Sequence, residues 1–201
     1  PYRPYAILRG LMIKDYAALQ EKVSIFEGVS MRKRTFRKYP QAYGGNVMGY
    51  VGEVNDYVMK SHPEYDLGDY LGISGIESSY EEELRGASGR KYIVVDNRNR
   101  DVGSFANGEY DMQPVMGAEL TLTIDAKLQA LGEELMRGKR GSIVAIEPST
   151  GEILALISAP SYDPNALVGR YRSRNYTVLY RDSVNKPLYD RAILAEYTPG
   201  S

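Results

Sequence analysis

Two apolar runs constrain this chain more than any other feature. Ser142-Ile143-Val144-Ala145-Ile146 and Ile153-Leu154-Ala155-Leu156-Ile157-Ser158 are joined by Glu147-Pro148-Ser149-Thr150-Gly151-Glu152. Each run is too short for a typical helix, and the connection carries Pro and Gly. That combination predicts a β-hairpin. Both runs are nearly continuous in apolar residues, so the hairpin is expected to sit centrally in a sheet with both faces covered.

The flanking pattern supplies more of the fold. Leu120, Leu122 and Ile124 alternate with Thr121 and Thr123, which predicts a half-buried strand over 120–124. Asp125 is placed to cap a helix in which Leu128, Leu131 and Leu135 share an apolar face, and Gly138 ends it. Nearer the start, Tyr16, Leu19, Val23 and Phe26 recur at helical spacing and predict a helix over 14–25, closed by Gly28. Strands are expected at 5–9 and 28–36, and one or two helical turns at 46–51. The Pro- and Gly-bearing stretch 61–72 reads as loop, with a turn at Ser61-His62-Pro63. Ser74-Gly75-Ile76-Glu77 has the Ser-x-x-Glu form of a capping box. Ile76, Tyr80 and Leu84 then predict one helix, ending at Gly86, with Glu81, Glu82 and Glu83 on its solvated face. Runs at 92–95 and 101–105 around Asp96-Asn97-Arg98-Asn99 predict a second hairpin. Residues 107–117 read as loop and hold the main boundary. The stretch 159–187 is long and poorly periodic, which marks a functional or mobile loop. Helices and strands are interspersed and hairpins are present, so the fold class is α+β.

Composition removes several function classes. With 201 residues, 43% hydrophobic and 25% charged, the chain is long enough for one ordinary domain or two small ones. The net charge of −1 gives no global field for nucleic acid. Its distribution is uneven: residues 1–40 are basic, 41–118 acidic and 119–201 balanced, which predicts units with different surfaces. The basic cluster Arg32, Lys33, Arg34, Arg37 and Lys38 reads as a solvated strand face or a surface for anionic lipid or a partner. Without Cys, and with His62 as the single His, neither a Cys-based zinc site nor a multi-His site is available. No metal or cofactor is expected. The acidic run 81–83 lies along one helix and does not converge like a glycosidase carboxylate pair. There are 18 Tyr, 3 Phe and no Trp, as suits half-buried sheets and loops. No apolar stretch approaches the ~20 residues of a membrane helix. The chain starts at Pro1, and it reads as a piece of something longer.

The strongest signal is the order of several short motifs. Leu122-Thr123-Ile124-Asp125, Leu128-Gln129, Gly141-Ser142-Ile143-Val144-Ala145-Ile146 and Thr150-Gly151-Glu152-Ile153-Leu154-Ala155 come first. Pro160-Ser161-Tyr162-Asp163-Pro164-Asn165, Pro187-Leu188-Tyr189-Asp190-Arg191-Ala192 and Pro199-Gly200-Ser201 follow. In this order they resemble the opening of a penicillin-binding transpeptidase domain. Asp190 stands where that family often has Asn. Upstream, Arg37-Lys38-Tyr39-Pro40, Gly49-Tyr50-Val51-Gly52 and Gly72-Ile73-Ser74-Gly75-Ile76-Glu77 through Leu84-Arg85-Gly86 resemble the family's pedestal, or dimerisation, module. The pattern is similar to class B enzymes of the elongation type, the penicillin-binding protein 2 type.

The resemblance implies a pedestal over 1–118 and a truncated transpeptidase domain over 119–201, containing its first strand, helix and hairpin. It implies that Ser201 is the acyl-enzyme nucleophile of the parent protein, activated by a Lys three residues later. The implied substrates are peptidoglycan stem peptides ending in D-Ala-D-Ala, and β-lactams would acylate the same serine. Implied partners are a membrane glycosyltransferase and other elongation proteins through 1–118, together with a homodimer. The implied location is the periplasmic side of the bacterial inner membrane, anchored by an N-terminal helix outside these residues. The chain stops at Ser201 without the Lys, so these residues alone are expected to be inactive. Two alternatives stand beside this reading: a non-catalytic scaffold that docks the glycosyltransferase, and an inactive homologue or penicillin sensor.

Overall fold

Asn55 and Asp125 show how local chemistry starts helices in this chain: each lends a side-chain oxygen to two otherwise unpaired main-chain N–H groups. The structure, a computed structural model, describes residues 7–8, 10–11, 13–23, 25–26, 29, 31, 36–98 and 100–196. Helix α1 is Ile13–Val23, close to the expected span. The strands expected at 5–9 and 28–36 fall mostly outside the described residues.

Helix α2, Gly45–Met48, is a single turn, and it leads into strand β1, Val51–Glu53. Between them Gly49 adopts φ 77°, and a Cβ there would lie 1.8 Å from the Ser74 carbonyl oxygen, so only Gly fits. Helix α3, Asp56–Ser61, has no apolar stripe to announce it. Asn55 starts it by accepting from the N–H groups of Tyr57 and Val58, and His62 ends it. Strand β2, Tyr70–Gly72, lies within the turn-rich stretch 61–72 and pairs antiparallel with β1, Val51 opposite Gly72.

The single helix predicted over 76–84 is two. Helix α4 is Gly75–Ser79 and helix α5 is Glu81–Arg85. Tyr80 (φ −120°, ψ 30°) breaks the path between them. Glu77 does not close a capping box, because its carboxylate is taken by Arg37 and Tyr39. Gly86 ends α5 at φ 66°, as expected.

The second hairpin forms as strands β3, Ile93–Val95, and β4, Asp101–Ser104. Asp96 organises its turn, accepting from the N–H groups of Arg98 and Arg100 and from Arg100 Nε. These bonds hold the Asp96 carboxyl below its ordinary range.

No strand forms at 120–124. Thr123 and, just after the segment, Asp125 each give the later hairpin one hydrogen bond, described below. Helix α6, Ala126–Leu135, follows its Asp125 cap. Its predicted leucine face is turned outward: Leu128, Leu131 and Leu135 are all exposed, whereas Gln129 and Gly132 are buried. The first hairpin is strand β5, Gly141–Ile146, paired antiparallel with strand β6, Ile153–Ala159, in a two-stranded sheet. It is covered on one face only. Ala155 and Ile157 are buried, while Val144, Ile146 and Ile153 are exposed. The stretch 159–187 is not plain loop either. It holds a 3₁₀ turn at Pro164–Leu167, capped by Asp163, and helix α7, Arg172–Arg181. That helix has no side-chain cap at its start, and Tyr176 and Leu179 are its residues that pack on the Tyr50, Tyr162 and Leu167 cluster.

The described residues group into two compact units. One comprises 80–122; the other comprises 7–79 together with 123–196. The smaller unit is an extended ladder. Its arms are joined by bridges between Ala87 and Val115 and between Arg90 and Met112, and none of its described residues is buried. Among the described residues, every buried side chain lies in the larger unit, including Tyr50, Val54, Tyr65, Ile157, Tyr162 and Leu167. Chain order divides the molecule once, whereas packing places 36–79 with 123–196. The hydrogen bonds that Asn165 and Glu133 accept from the Tyr39 and Gly44 N–H groups, and that Asn46 and Arg172 donate to the Pro187 and Val51 carbonyls, are the reason.

Gly132 allows α6 to lie against β6, since a Cβ on it would sit 2.6 Å from Ile157 Cδ1. Gly132→Val is therefore expected to destabilise the chain by about 1–3 kcal/mol through overpacking. A urea unfolding midpoint equal to that of the parent chain would contradict this.

Candidate functional site

Among the described residues, four polar or charged ones are buried: Glu77, Gln129, Ser158 and Arg191. No buried side-chain nitrogen or oxygen among the described residues lacks a hydrogen-bond partner. Burying such groups is costly unless they are paired, so the bonds of these four show where the fold is most specific. All four lie in the larger unit.

Gln129 serves the edge of β6 that β5 leaves free. Its Nε2 donates to the Leu156 carbonyl at 2.9 Å, and its Oε1 accepts from the Leu156 N–H at 2.9 Å. Thr123 Oγ1 donates to the Ile153 carbonyl, and the Asp125 N–H donates to the Leu154 carbonyl. The segment 123–129 thereby replaces a neighbouring strand. This explains the outward leucines of α6: the face that meets β6 needs a donor and an acceptor together, with a glycine for close approach.

Ser158, at the end of β6, bridges to the segment that runs toward the C-terminus. Its Oγ donates to the Tyr189 carbonyl at 3.2 Å and accepts from the Arg191 N–H at 2.9 Å. Arg191 is 5% exposed. Its guanidinium donates to the carbonyls of Asn185, Lys186 and Tyr189 and lies 5.7 Å from the Tyr189 ring centroid. Nearby carbonyls are caught as well: Val184 by Arg140 and Pro187 by Asn46 Nδ2. Ser161 Oγ donates to Asn46 Oδ1 at 3.0 Å. Residues 184–191 are therefore fixed to the end of β6 and to α2.

Glu77 organises the other side of the unit. Arg37 Nε donates to its Oε2 at 3.1 Å, and the Tyr39 hydroxyl donates to its Oε1 at 2.9 Å. Asn165 grips the Tyr39 main chain in both directions, accepting from its N–H at 3.0 Å and donating to its carbonyl at 2.9 Å. Burial, and after it the Glu77 carboxylate, raise the Tyr39 phenol well above its usual range. Burial is also the main cause that raises Tyr162 and that pushes Tyr50 up to about 12.

The predicted nucleophile, Ser201, lies outside the described residues, which stop at 196. His62 faces Glu64 at 3.3 Å on the surface and joins no other site residue. Of the basic cluster, Arg37 is a partner of Glu77, Lys38 is exposed, and 32–34 lie outside the described residues. Among the described residues no group of His, Cys, Asp or Glu converges as metal ligands, and no helix is long and apolar enough to cross a membrane. Sequence reasoning does not reach Gln129, Ser158, Asn165 or Arg191 as organising residues. A polar residue closing an apolar run flags Ser158, and an amide beside a leucine pattern flags Gln129. Nothing local flags Arg191.

Residues 1–122 match the penicillin-binding protein dimerisation domain family, and residues 141–201 match the penicillin binding protein transpeptidase domain. The chain is 36% identical over 199 residues to the peptidoglycan D,D-transpeptidase MrdA of Acinetobacter baumannii, covering 98% of this chain and 29% of that protein. It is 37% identical over 185 residues to MrdA of Escherichia coli K12, covering 88% and 28%. It also resembles the structure of penicillin-binding protein 2 from Helicobacter pylori in complex with MreC. There the TM-score is 0.74 at 28% identity, over 89% of this chain and 33% of that one. The chain thus spans no more than about a third of the length of these relatives.

The Arg37–Glu77 pair is asymmetric, since the Arg37 side chain is 41% exposed and that of Glu77 only 8%. Freed Arg37 rehydrates, whereas freed Glu77 stays buried. Arg37→Met is therefore expected to cost more than Glu77→Met, each within about 1–3 kcal/mol. Chemical denaturation giving the opposite order would contradict this account. The tyrosines predict an alkaline limit. A phenol whose folded pKa is raised favours the folded state fully below its unfolded value of about 10. That contribution fades as pH rises toward and past 12 for Tyr50, and higher for Tyr39 and Tyr162. Phenolate absorbance should show late-ionising tyrosines in the native chain that ionise normally in denaturant.

Proposed function

The chain belongs to the penicillin-binding proteins, with their dimerisation domain ahead of their transpeptidase domain, and on that premise we propose that it is part of an elongation-type peptidoglycan D,D-transpeptidase. Residues 1–118 form the pedestal in this reading, and 119–201 open the transpeptidase module. The main support is the anchoring of 184–191 to the end of β6 by Ser158, Arg191 and Asn46. This anchor lies about ten residues before Pro199-Gly200-Ser201, inside the stretch that matches a transpeptidase domain.

Ser201 is the nucleophile of the proposed reaction. A lysine three residues on takes the Ser201 hydroxyl proton as Oγ attacks the carbonyl of the penultimate D-Ala. Main-chain N–H groups stabilise the oxyanion. The C–N bond breaks, terminal D-Ala leaves with the proton, and an ester remains on Ser201. An amine from a neighbouring stem peptide attacks that ester, forms the crosslinking amide and releases the serine. A β-lactam enters by the first step, its ring amide opening onto Ser201.

The proposed location is the periplasmic side of the inner membrane. The proposed partners are other elongation proteins, with residues 1–118 docking a membrane glycosyltransferase or a second copy. The complex of a relative with MreC supports this docking role, which is the second reading and is compatible with the first.

A fluorescent penicillin tests the enzyme reading. The full-length protein should carry a covalent adduct on Ser201. Ser201→Ala in that protein should carry none. An adduct that survives Ser201→Ala would overturn the assignment.

A further inference from the structure

Helix α7 has two unlike faces. On the inner one, Tyr176 and Leu179 pack on the Tyr50, Tyr162 and Leu167 cluster. Arg172 Nε donates to the Val51 carbonyl at 2.9 Å, and Asn175 Nδ2 donates to the Ala166 carbonyl at 2.8 Å. These four residues fix the rotation of the helix and so set its other face toward solvent.

The outer face carries arginines in a row. Arg174 and Arg181 are two helical turns apart, about 10 Å along the axis. Arg170, in the 3₁₀ turn Gly169–Tyr171 that leads into the helix, stands one turn before Arg174. All three are exposed. No ion pair or hydrogen bond among the described residues engages their guanidinium groups. Helix α7 itself contains no Asp or Glu to neutralise them. By helical rotation Tyr171 and Val178 fall on one side of the row and Tyr180 on the other. These flanking side chains are 59%, 64% and 72% exposed. The Tyr180 ring is stacked on Tyr176 at an interplanar angle of 16°, which holds it flat.

Every cation from 170 to 181 is Arg and none is Lys. The guanidinium is a planar fork that matches a carboxylate in two bonds, which an ammonium does not. Three forks in a row suit a partner that repeats carboxylates along its length. The open tyrosine rings suit the apolar faces of sugars. A lipid surface is a poorer match. A helix that binds one buries a broad apolar face, and Tyr176 and Leu179 of α7 are already committed to the core. A peptidoglycan strand combines a sugar chain with stem peptides that end in carboxylates.

We propose that the outer face of α7 is a docking strip for a peptidoglycan strand, with Arg170, Arg174 and Arg181 taking stem-peptide carboxylates and Tyr171 and Tyr180 lying against sugars. The proposal rests on the transpeptidase reading above. It concerns where the polymer is held and assigns these residues no part in the acyl transfer.

The test measures cosedimentation of the full-length protein, in nanodiscs of zwitterionic lipid, with purified peptidoglycan. Three exposed charge pairs together are worth about threefold to a hundredfold in affinity. Replacing Arg170, Arg174 and Arg181 together by Gln should weaken binding within that range and leave the melting temperature unchanged. Replacing all three by Lys keeps the charge and loses the fork, and should weaken binding by less. That variant is the readout if the Gln variant does not fold. Stripping the stem peptides with an amidase should weaken binding of the unmutated protein and abolish its advantage over the Gln variant. Wild-type affinity in the Gln variant, or in the Lys variant where it is the readout, would overturn the proposal. An advantage that persists on stripped glycan would do the same. So would equal weakening when the exposed Arg98, Lys127 and Arg137 are replaced by Gln, since net charge alone would then account for binding. Phosphatidylglycerol vesicles should not displace the strand; displacement from the unmutated protein would make the strip a lipid contact and sink the proposal. A fluorescent penicillin separates the two readings. No adduct on the unmutated full-length protein overturns the transpeptidase reading and the proposal with it. An adduct, together with peptidoglycan binding that ignores the three arginines, overturns the proposal alone.

Discussion

The larger unit depends on how the free edge of β6 is satisfied. A two-stranded sheet leaves two rows of main-chain donors and acceptors unpaired, and in water such an edge invites another strand. Here one row is taken by Gln129, Thr123 and the Asp125 N–H. Because Gln129 must lie in the plane of the sheet, the helix that carries it is rotated, Gly132 faces Ile157, and the leucines point away. The end of the strand is then free to present Ser158 to the segment that follows.

A common device recurs on the other side. Asn165 reads the main chain of Tyr39 as Gln129 reads that of Leu156, with one amide supplying both donor and acceptor. Glu77 orders the side chains of the same segment. These bonds join residues far apart in sequence, and each is specific in direction, so a shift of one residue would leave buried groups unpaired. Packing alone is less exacting: the apolar cluster is small, built on Tyr50, Tyr162 and Leu167.

Sequence legibility followed the range of the physical signal. The two hairpins, the Asp125 cap and the close of α5 at Gly86 depend on neighbours a few residues away, and they were predictable. The family, too, was legible from the order of motifs. Helix α3 carries no periodic signal, because its start lies in the Asn55 side chain and not in an apolar stripe. Helix α7 is equally silent in the sequence, because its few packing residues meet partners from distant segments. The leucine face of α6 points away from the core against its periodicity, which reports which residues are apolar and not which face a neighbouring strand edge requires. Glu77 and Arg191 share the same limit, since their partners are set by the tertiary fold. The role proposed for Ser201 rests on family resemblance alone, at the end of a motif series.

The tyrosine cluster has a practical consequence. The chain has no tryptophan, so its near-ultraviolet optical activity arises from tyrosine with a small contribution from phenylalanine. Among the described residues, Tyr50, Tyr176 and Tyr180 form a ladder with ring centroids 5.7 and 5.9 Å apart. Closely spaced rings in a fixed asymmetric arrangement couple their transitions, whereas solvent-facing rings such as Tyr92 contribute little. Circular dichroism between 270 and 290 nm therefore reports chiefly on the unit formed by 7–79 and 123–196. It offers a label-free signal for whether the two sequence-distant halves of that unit are docked.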